Sequence, residues 1–412
     1  MKKTILIIGT ADTKSDELQY MKSCMERIGG CACVMDVGVL GEPKFPVEYT
    51  KHDVAAAAQT TNADIIALGD ENAAMTKTSE GACELTRKLA SEGKIQGVLM
   101  LGGTMGTDLA LDVADALPFG FPKFIISTVS FSHLIPPDRL SPDLMMILWS
   151  GGLYGLNSIC KAALSQACGA VLGAAQAVEI PTFERPVVGM TSLGSSALTY
   201  MKILKPELEK RGFEVAVFHT TGLGGRALEN LANKKRFVAV LDLGLAEIAN
   251  ESVNSVVTSG KNRLENAGLA GIPQIVAGGG LGLIDLPTWG KMPKKYAHRA
   301  YHAHNRLIAS VLMDAKEMKK LARIIAQKLR KATAPTIYIS TLKGWIEWDR
   351  VGEPLYHPEN LQAFSSELKK AIQNPVQLIE LDAHINDKIF ADKVLEIFDN
   401  WVTQGIIKKS AN

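Results

Sequence analysis

Ile7-Ile8-Gly9, followed by Leu18, Tyr20, Met21 and Lys22, returns in the second half of the chain as Val187-Val188-Gly189, followed by Leu198, Tyr200, Met201 and Lys202, in the same spacing. A second echo matches Gly120-Phe121-Pro122-Lys123-Phe124-Ile125-Ile126 with Gly271-Ile272-Pro273-Gln274-Ile275-Val276-Ala277, each a short loop feeding an apolar strand. A period this long means paired domains and not a solenoid. Working outward, Val/Ile/Leu-rich runs at 4–8, 32–35, 65–68, 97–101 and 123–126 predict strands, with amphipathic helical stretches such as 15–28 and 80–92 between them. The second half repeats this with strands at 187–190, 215–218, 238–241, 274–277 and 336–339. Apolar runs bounded by glycine, without clean alternation, suit a parallel sheet buried on both faces. The expected fold class is α/β: two Rossmann-like, doubly wound parallel-sheet domains related by internal duplication. Pro181 and Pro186 frame a polar connector, which divides the chain into domains 1–180 and 181–412. Residues 298–330 read as one long helical run and 387–403 as a closing helix able to pack on either domain.

Length and composition agree with this division. A chain of 412 residues exceeds one comfortable core and accommodates two. Its formal charge of +2 is spread along the sequence, with no basic tract to suit nucleic acid and no acidic tail. The six cysteines all lie in the first half without CxxC spacing, as expected of reduced thiols in a cytoplasmic protein. The apolar run 5–8 ends at Gly9 and Asp12, so it reads as a strand and not as a signal peptide. The stretch 162–178 carries too few bulky side chains to span a bilayer, and no membrane partner is expected. It reads as an Ala-rich helix whose Gly169 and Gly173 suit close packing inside the fold or in a homodimer.

In an open parallel sheet, ligands sit beyond the C-terminal strand ends. Gly9-Thr10-Ala11-Asp12-Thr13-Lys14 follows the first strand and opens a helix, with Asp12 or Thr13 placed to cap it. A capping box from Thr13 to Asp16 would explain these residues without a ligand. A helix start also offers free N–H groups and a positive dipole end to an anion, Lys14 adds charge, and Asp12 could hold magnesium through water. Gly102-Gly103-Thr104-Met105-Gly106-Thr107, after the fourth predicted strand, is the best phosphate loop in the chain. Its paired glycines let the backbone approach closely and its threonines add donors. The Walker spacing is absent.

Three segments of the second half are candidates for substrate binding. Thr191-Ser192-Leu193-Gly194-Ser195-Ser196 stands where the first copy has its carboxylates and lysine, and replaces them with small hydroxyls. Gly222-Leu223-Gly224-Gly225-Arg226-Ala227 fits a G-x-G-x-x-A pattern, with Asp242 at the end of the next strand, as in a dinucleotide fingerprint. By the duplication, however, this loop follows the second strand of its unit and not the first. Gly278-Gly279-Gly280 is equally compatible with ligand approach and a plain turn. His298 and His302 have helical spacing and, with His304, could hold zinc, although no carboxylate or cysteine partner is evident. His219, at a strand end, is a general acid or base candidate. Lys343, flanked by Trp345 and Trp348, sits in a segment that would cover a ligand or a partner surface.

Several of these motifs, in order along nearly the whole chain, resemble the ATP-binding domain family typified by the N-terminal inhibitory domain of the tomato mosaic virus resistance protein. They are Gly9-Thr10 with Asp12-Thr13-Lys14 and Glu17; Gly102 to Thr107; Gly155-Leu156-Asn157-Ser158; Val217-Phe218-His219-Thr220 to Gly224-Gly225-Arg226-Ala227; Gly271-Ile272-Pro273-Gln274; His304-Asn305; and Leu342-Lys343-Gly344. The resemblance implies two Rossmann-like domains, ATP binding and a dimer. The chain departs from the family pattern at Asp242-Leu243-Gly244-Leu245-Ala246-Glu247, at Gly278-Gly279-Gly280 leading to Asp285, and after His304-Asn305, all in the second domain. The expectation is therefore ATP, with magnesium, at first-domain strand ends facing the interdomain cleft. Gly9, Thr10, Asp12, Thr13, Lys14, Gly102, Gly103, Thr104, Gly106 and Thr107 would bind it, with Asp12 at the metal. An enzyme would use His219 and Lys343 for phosphoryl transfer or ligation on a small acid or sugar held by Thr191, Ser195, Gly224, Gly225, Arg226 and Gly279. A nucleotide-gated protein-interaction module and an NAD(P)-dependent oxidoreductase resting on Gly222, Gly224, Ala227 and Asp242 are the other readings.

Overall fold

Apolar runs that end in glycine become parallel strands. The computed structural model describes residues 2–149, 151–182, 184–194 and 197–409, and the chain forms two units, Met1–Thr182 and Phe183–Asn412. The first contains β1 (Thr4–Gly9), α1 (Ser15–Arg27), β2 (Cys31–Asp36), α2 (Lys51–Ala57), α3 (Asn62–Ala67), α4 (Glu71–Ser91), β3 (Gly97–Gly102), α5 (Thr104–Ala116), β4 (Lys123–Ser127), β5 (Met145–Leu148) and α6 (Ser158–Ala177). Its five strands are all parallel, in the order β2-β1-β3-β4-β5. Successive side chains of a strand point to opposite faces, and here both faces are buried. Ile5, Ile7, Leu99, Leu101, Phe124 and Ile126 meet α1 and α6. Leu6, Ile8, Val98, Met100 and Ile125 meet α2, α4 and α5. α6 is long and apolar enough to cross a membrane by composition. Its Cys160, Leu164, Cys168, Val171 and Leu172 nevertheless form part of the first of these cores, and Gly169 and Gly173 lie on its outer face.

The second unit contains β6 (Val187–Ser192), α7 (Thr199–Lys210), β7 (Glu214–His219), α8 (Leu223–Asn233), β8 (Ala239–Gly244), α9 (Ala246–Ser252), α10 (Asn266–Leu269), β9 (Gln274–Gly279), β10 (Leu283–Pro287), β11 (Tyr301–Ala303), β12 (Ile308–Leu312), α11 (Ala315–Leu329), β13 (Thr336–Thr341), α12 (Pro358–Ala371), β14 (Val376–Leu381) and α13 (Lys388–Thr403). Its main sheet runs β14-β13-β9-β8-β6-β7, all parallel, and β10-β12-β11 form a separate antiparallel sheet. Counted within each unit and omitting that insert, the strand orders are 2-1-3-4-5 and 2-1-3-4-5-6. The duplication heard in the sequence is thus a shared doubly wound topology. The closing helix α13 belongs to the second unit, where Phe390, Val394 and Phe398 pack with Tyr200, Leu204 and Leu208 of α7.

Two expected elements differ. Residues 65–68 are not a strand but the end of α3, which Thr61 and Asp64 start with a reciprocal capping box; Ile65 is buried while Ile66 is 45% exposed. Residues 298–330 are not one helix. Ile308–Leu312 pairs as a strand with β10 and β11, and a capping box between Asp314 and Glu317 begins α11 afresh.

Candidate functional site

The topological switch point of the first unit lies between β1 and β3, which are adjacent and parallel. The loops leaving these strands, Gly9 to Lys14 and Gly102 to Gly103, lead directly into α1 and α5. In the first unit α2, α3, α4 and α6 each close their N-terminus with a side chain, from Thr50, Thr61, Asp70 and Asn157 respectively. α1 and α5 do not: their N-cap positions are Lys14 and Gly103, with no side-chain hydrogen bond. The expected box from Thr13 to Asp16 is absent, because α1 starts one residue later than that box requires. Lys14 N donates to Thr10 O, and the Thr10 and Thr13 hydroxyls pair with each other at 2.8 Å. Two helices of 13 residues therefore start at this switch point without a side-chain cap. The first-turn residues of α5, Thr104, Met105 and Gly106, line the crevice there, and beside α1 it is lined by Thr10, Thr13 and Lys14 of the preceding loop.

That crevice has two parts. One, of about 340 Å³, is lined by Gly9, Thr10, Thr13, Lys14, Gly102, Gly103, Thr104 and Gly106. The other, of about 490 Å³, is lined mainly by apolar side chains, among them Val39, Leu40, Ile65, Ile66, Met75 and Leu109, with Asp12, Asp70 and Glu71. Thr10, Thr13, Val37, Met105, Gly106 and Leu109 line both. Sizes of this order are usual for small-molecule sites, roughly 300–1,000 Å³. Thr107 stands apart from the other expected phosphate residues. It is 2% exposed, and its hydroxyl pairs with Ser127 Oγ at 2.7 Å, tying α5 to β4.

The loop after β2 shapes the first-unit site in a way the sequence reading missed. Asp36, 1% exposed at the end of β2, accepts hydrogen bonds at Oδ1 from Ala11 N (2.9 Å) and Gly38 N (2.8 Å), while Oδ2 has no partner. Burial raises its pKa, against the lowering effect of those N–H groups. Asp36 thereby fixes the turn that carries Asp12. A β-carbon on Gly41 would come within 2.5 Å of Asp12 Oδ2, so a glycine is needed where this loop covers the carboxylate. Lys51, 5% exposed, holds the same loop through Gly41 O at 2.8 Å and a bridge to Glu42. The available signal was a polar residue closing an otherwise apolar strand.

In the second unit the candidates are placed differently. Thr191 is fully buried; its hydroxyl donates to Asp242 Oδ1 (2.9 Å) and accepts from Gly244 N (2.8 Å). Gly279 is buried where a β-carbon would meet Leu243 O at 2.3 Å. Gly224 presses on His219 O, and Gly222 N and Gly225 N both donate to Glu247 Oε1, at 2.7 and 3.0 Å. Arg226 lies in the first turn of α8. Ser195 lies outside the described residues. Asp242, the acidic residue of the fingerprint, is 2% exposed and engaged by both terminal nitrogens of Arg263. His219 is exposed at the end of the edge strand β7, whereas Lys343 follows β13 and pairs with Asp382 at 3.0 Å. Four strand spacings, roughly 19 Å, separate β7 from β13, so these two residues do not share a site. The histidines do not share a helix either: His302 is in β11 and stacks on Trp348 with centroids 4.1 Å apart. Among the described residues no group of three or more His, Cys, Asp or Glu side chains is placed to hold a metal.

Residues 3–179 match the model of the N-terminal domain, and residues 185–402 that of the C-terminal domain, of an uncharacterised protein family, UPF0261. The chain belongs to the UPF0261 family. A UPF0261 protein of Brucella melitensis is 54% identical over 98% of this chain and 97% of its own length. One from Clostridium tetani is 34% identical over 95% and 97%. The tomato mosaic virus resistance protein Tm-1 of Solanum lycopersicum is 29% identical over 96% of this UPF0261 chain, which spans 55% of the tomato protein. Among solved structures, Escherichia coli ADP-heptose lipopolysaccharide heptosyltransferase II aligns over 98% of this chain and 99% of its own, with a TM-score of 0.20 and 10% identity. A likeness at that level says nothing about the chemistry of this chain.

Proposed function

We propose that the first unit of this UPF0261 protein binds ATP, with the triphosphate against the open N-termini of α1 and α5 and the adenosine in the neighbouring apolar chamber. The observation that carries this reading is the pair of uncapped helix starts meeting at one switch point. Phosphate oxygens would satisfy N–H groups that no side chain caps, and the glycines at 102, 103 and 106 let them approach. Lys14 would add a charge beside them. Magnesium suits this donor set as an ion held jointly by phosphates and one carboxylate, Asp12, with hydroxyls of Thr10 and Thr13 nearby; octahedral Mg²⁺ commonly keeps most of its shell from water and phosphate. A cytoplasmic homodimer is part of the same reading.

Whether the bound nucleotide is turned over separates an ATP-dependent phosphoryl-transfer or ligase enzyme from a module whose partner reads the nucleotide-bound form. The separation of His219 from Lys343 removes the geometric basis for using them together, which favours the module. The test is calorimetric titration with ATP, with and without magnesium, on the wild type and Lys14→Ala. Binding weakened by the substitution supports the assignment. Unchanged affinity in Lys14→Ala places the phosphates elsewhere, and no binding by the wild type removes the nucleotide reading. Phosphate release dependent on an added small molecule would establish the enzyme.

A further inference from the structure

We infer that the glycine-rich turn of the second unit is an anion site occupied by the chain's own carboxylate, Glu247, and that it accepts no phosphate. The turn has the features of a phosphate cradle. Gly222 adopts φ +112°, Gly222 is the N-cap of the 11-residue helix α8, and no side chain of the turn itself caps that helix. Its donors are nevertheless taken. Glu247 Oε1 accepts from Gly222 N and Gly225 N, and Oε2 accepts from Arg263 Nε at 2.7 Å. Glu247 and Arg263 are both 0% exposed. A β-carbon on Gly225 would lie 1.8 Å from Glu247 Oε2. The glycine at 225, a variable position of the G-x-G-x-x-A pattern, is therefore required by the internal carboxylate. The pattern's own Gly224 is required by the close approach of His219 O, 1.9 Å from where its β-carbon would lie, so neither needs a dinucleotide. A carboxylate held by two N–H groups at a helix start and by a guanidinium has the partners a bound phosphate oxygen would have.

Comparison of the two units shows how this arose. Gly244 ends β8 as Gly102 ends β3, and α9 follows as α5 does. Aligned on those glycines, Leu245 and Glu247 replace Gly103 and Met105. In the first unit the helix start is left open. In the second, Leu245 N is bonded to Gly279 O at 2.8 Å, and Glu247 reaches into the turn before α8. In the second unit the helix after the third strand thus sends a carboxylate into the turn after the second strand, a turn whose counterpart in the first unit is the loop after β2.

The test is chemical rescue of Glu247→Ala, followed by thermal unfolding in formate, acetate or phosphate against chloride at matched ionic strength. The expected result is a lowered Tm that formate and acetate raise well beyond their effect on the wild type, with Glu247→Gln, which still fills the turn, showing no such response. A Glu247→Ala chain that responds to these anions no more than the wild type does would overturn the inference. Should Glu247→Ala not fold, a chain carrying only Gly103→Asp, with its second unit intact, is titrated with ATP, NAD and pyrophosphate. No protection of the turn before α8 is expected with any of the three, whatever the first unit binds, and protection of that turn would show that Glu247 is displaceable and the site open. These outcomes do not depend on ATP binding by the first unit, whose failure would appear in the wild-type titration alone.

Discussion

A β-carbon on Gly102 would lie 2.4 Å from the Cα of Gly106, so the end of β3 and the first turn of α5 touch backbone to backbone. This contact aims the open start of α5 at the switch point. Gly102→Ala must push the helix away or strain the strand, a cost of about 1–3 kcal/mol by analogy with overpacked cores. Denaturant unfolding should show that loss, and titration should show weaker ATP binding. Unchanged affinity in a destabilised Gly102→Ala protein would mean that the start of α5 does not contact the ligand.

Gly103 is the opposite case. Its φ of −72° does not require a glycine, and a β-carbon there meets only Thr128 Oγ1 at 3.9 Å. Gly103→Asp should cap α5 and place a negative charge at its positive end, stabilising the fold by about 0.3–1 kcal/mol. The same carboxylate would occupy the place proposed for phosphate, so ATP binding should be lost while Tm is kept or raised. A capped protein that still binds ATP normally would contradict the phosphate assignment.

The apolar chamber carries its own prediction. Met75 lines it but not the glycine-lined part of the crevice. Met75→Trp should fill the space proposed for the base and weaken ATP on the order of tenfold, about 1.4 kcal/mol. Inorganic tripolyphosphate, which lacks a base, should bind both proteins alike. Equal ATP affinities would place the adenosine outside the chamber.

Stability of the second unit should fall with pH because of Glu229. This residue is 2% exposed, and burial pushes its pKa from 4.5 up to about 7, with Arg263 opposing and Asp242 reinforcing the shift. A folded-state pKa above the unfolded value means that the native protein holds the proton more tightly. Its stabilising contribution is complete below about pH 4.5 and is lost as pH rises through about 7. Glu229→Gln removes that titration, so the decline in unfolding free energy over this window should be shallower than in the wild type. Identical slopes would mean that Glu229 is already ionised at the bottom of the window.

The loops after β1 and β3 were legible as candidate sites because strand periodicity and a glycine at a strand end are local features. The chamber was not, since Ile65 and Ile66 look like a strand until the Thr61 and Asp64 cap makes them part of a helix. Asp36 was equally hidden: its role comes from Ala11 and Gly38, which the chain brings to it from two different loops.

By itself the sequence determined two α/β units of one topology, their order, their family and the glycine-rich strand ends, because these depend on residues close together along the chain. The tertiary structure alone decided which of those glycine-rich turns remains open. Gly222-Leu223-Gly224-Gly225 reads as a ligand cradle until Glu247, from the helix after the next strand, supplies the anion, and Arg263 holds that anion in place. An N–H group looks the same in the sequence whether it awaits a phosphate or already has a carboxylate. Only the positions of residues distant along the chain reveal which donors are still unsatisfied, and those donors are where an outside ligand can gain free energy by binding.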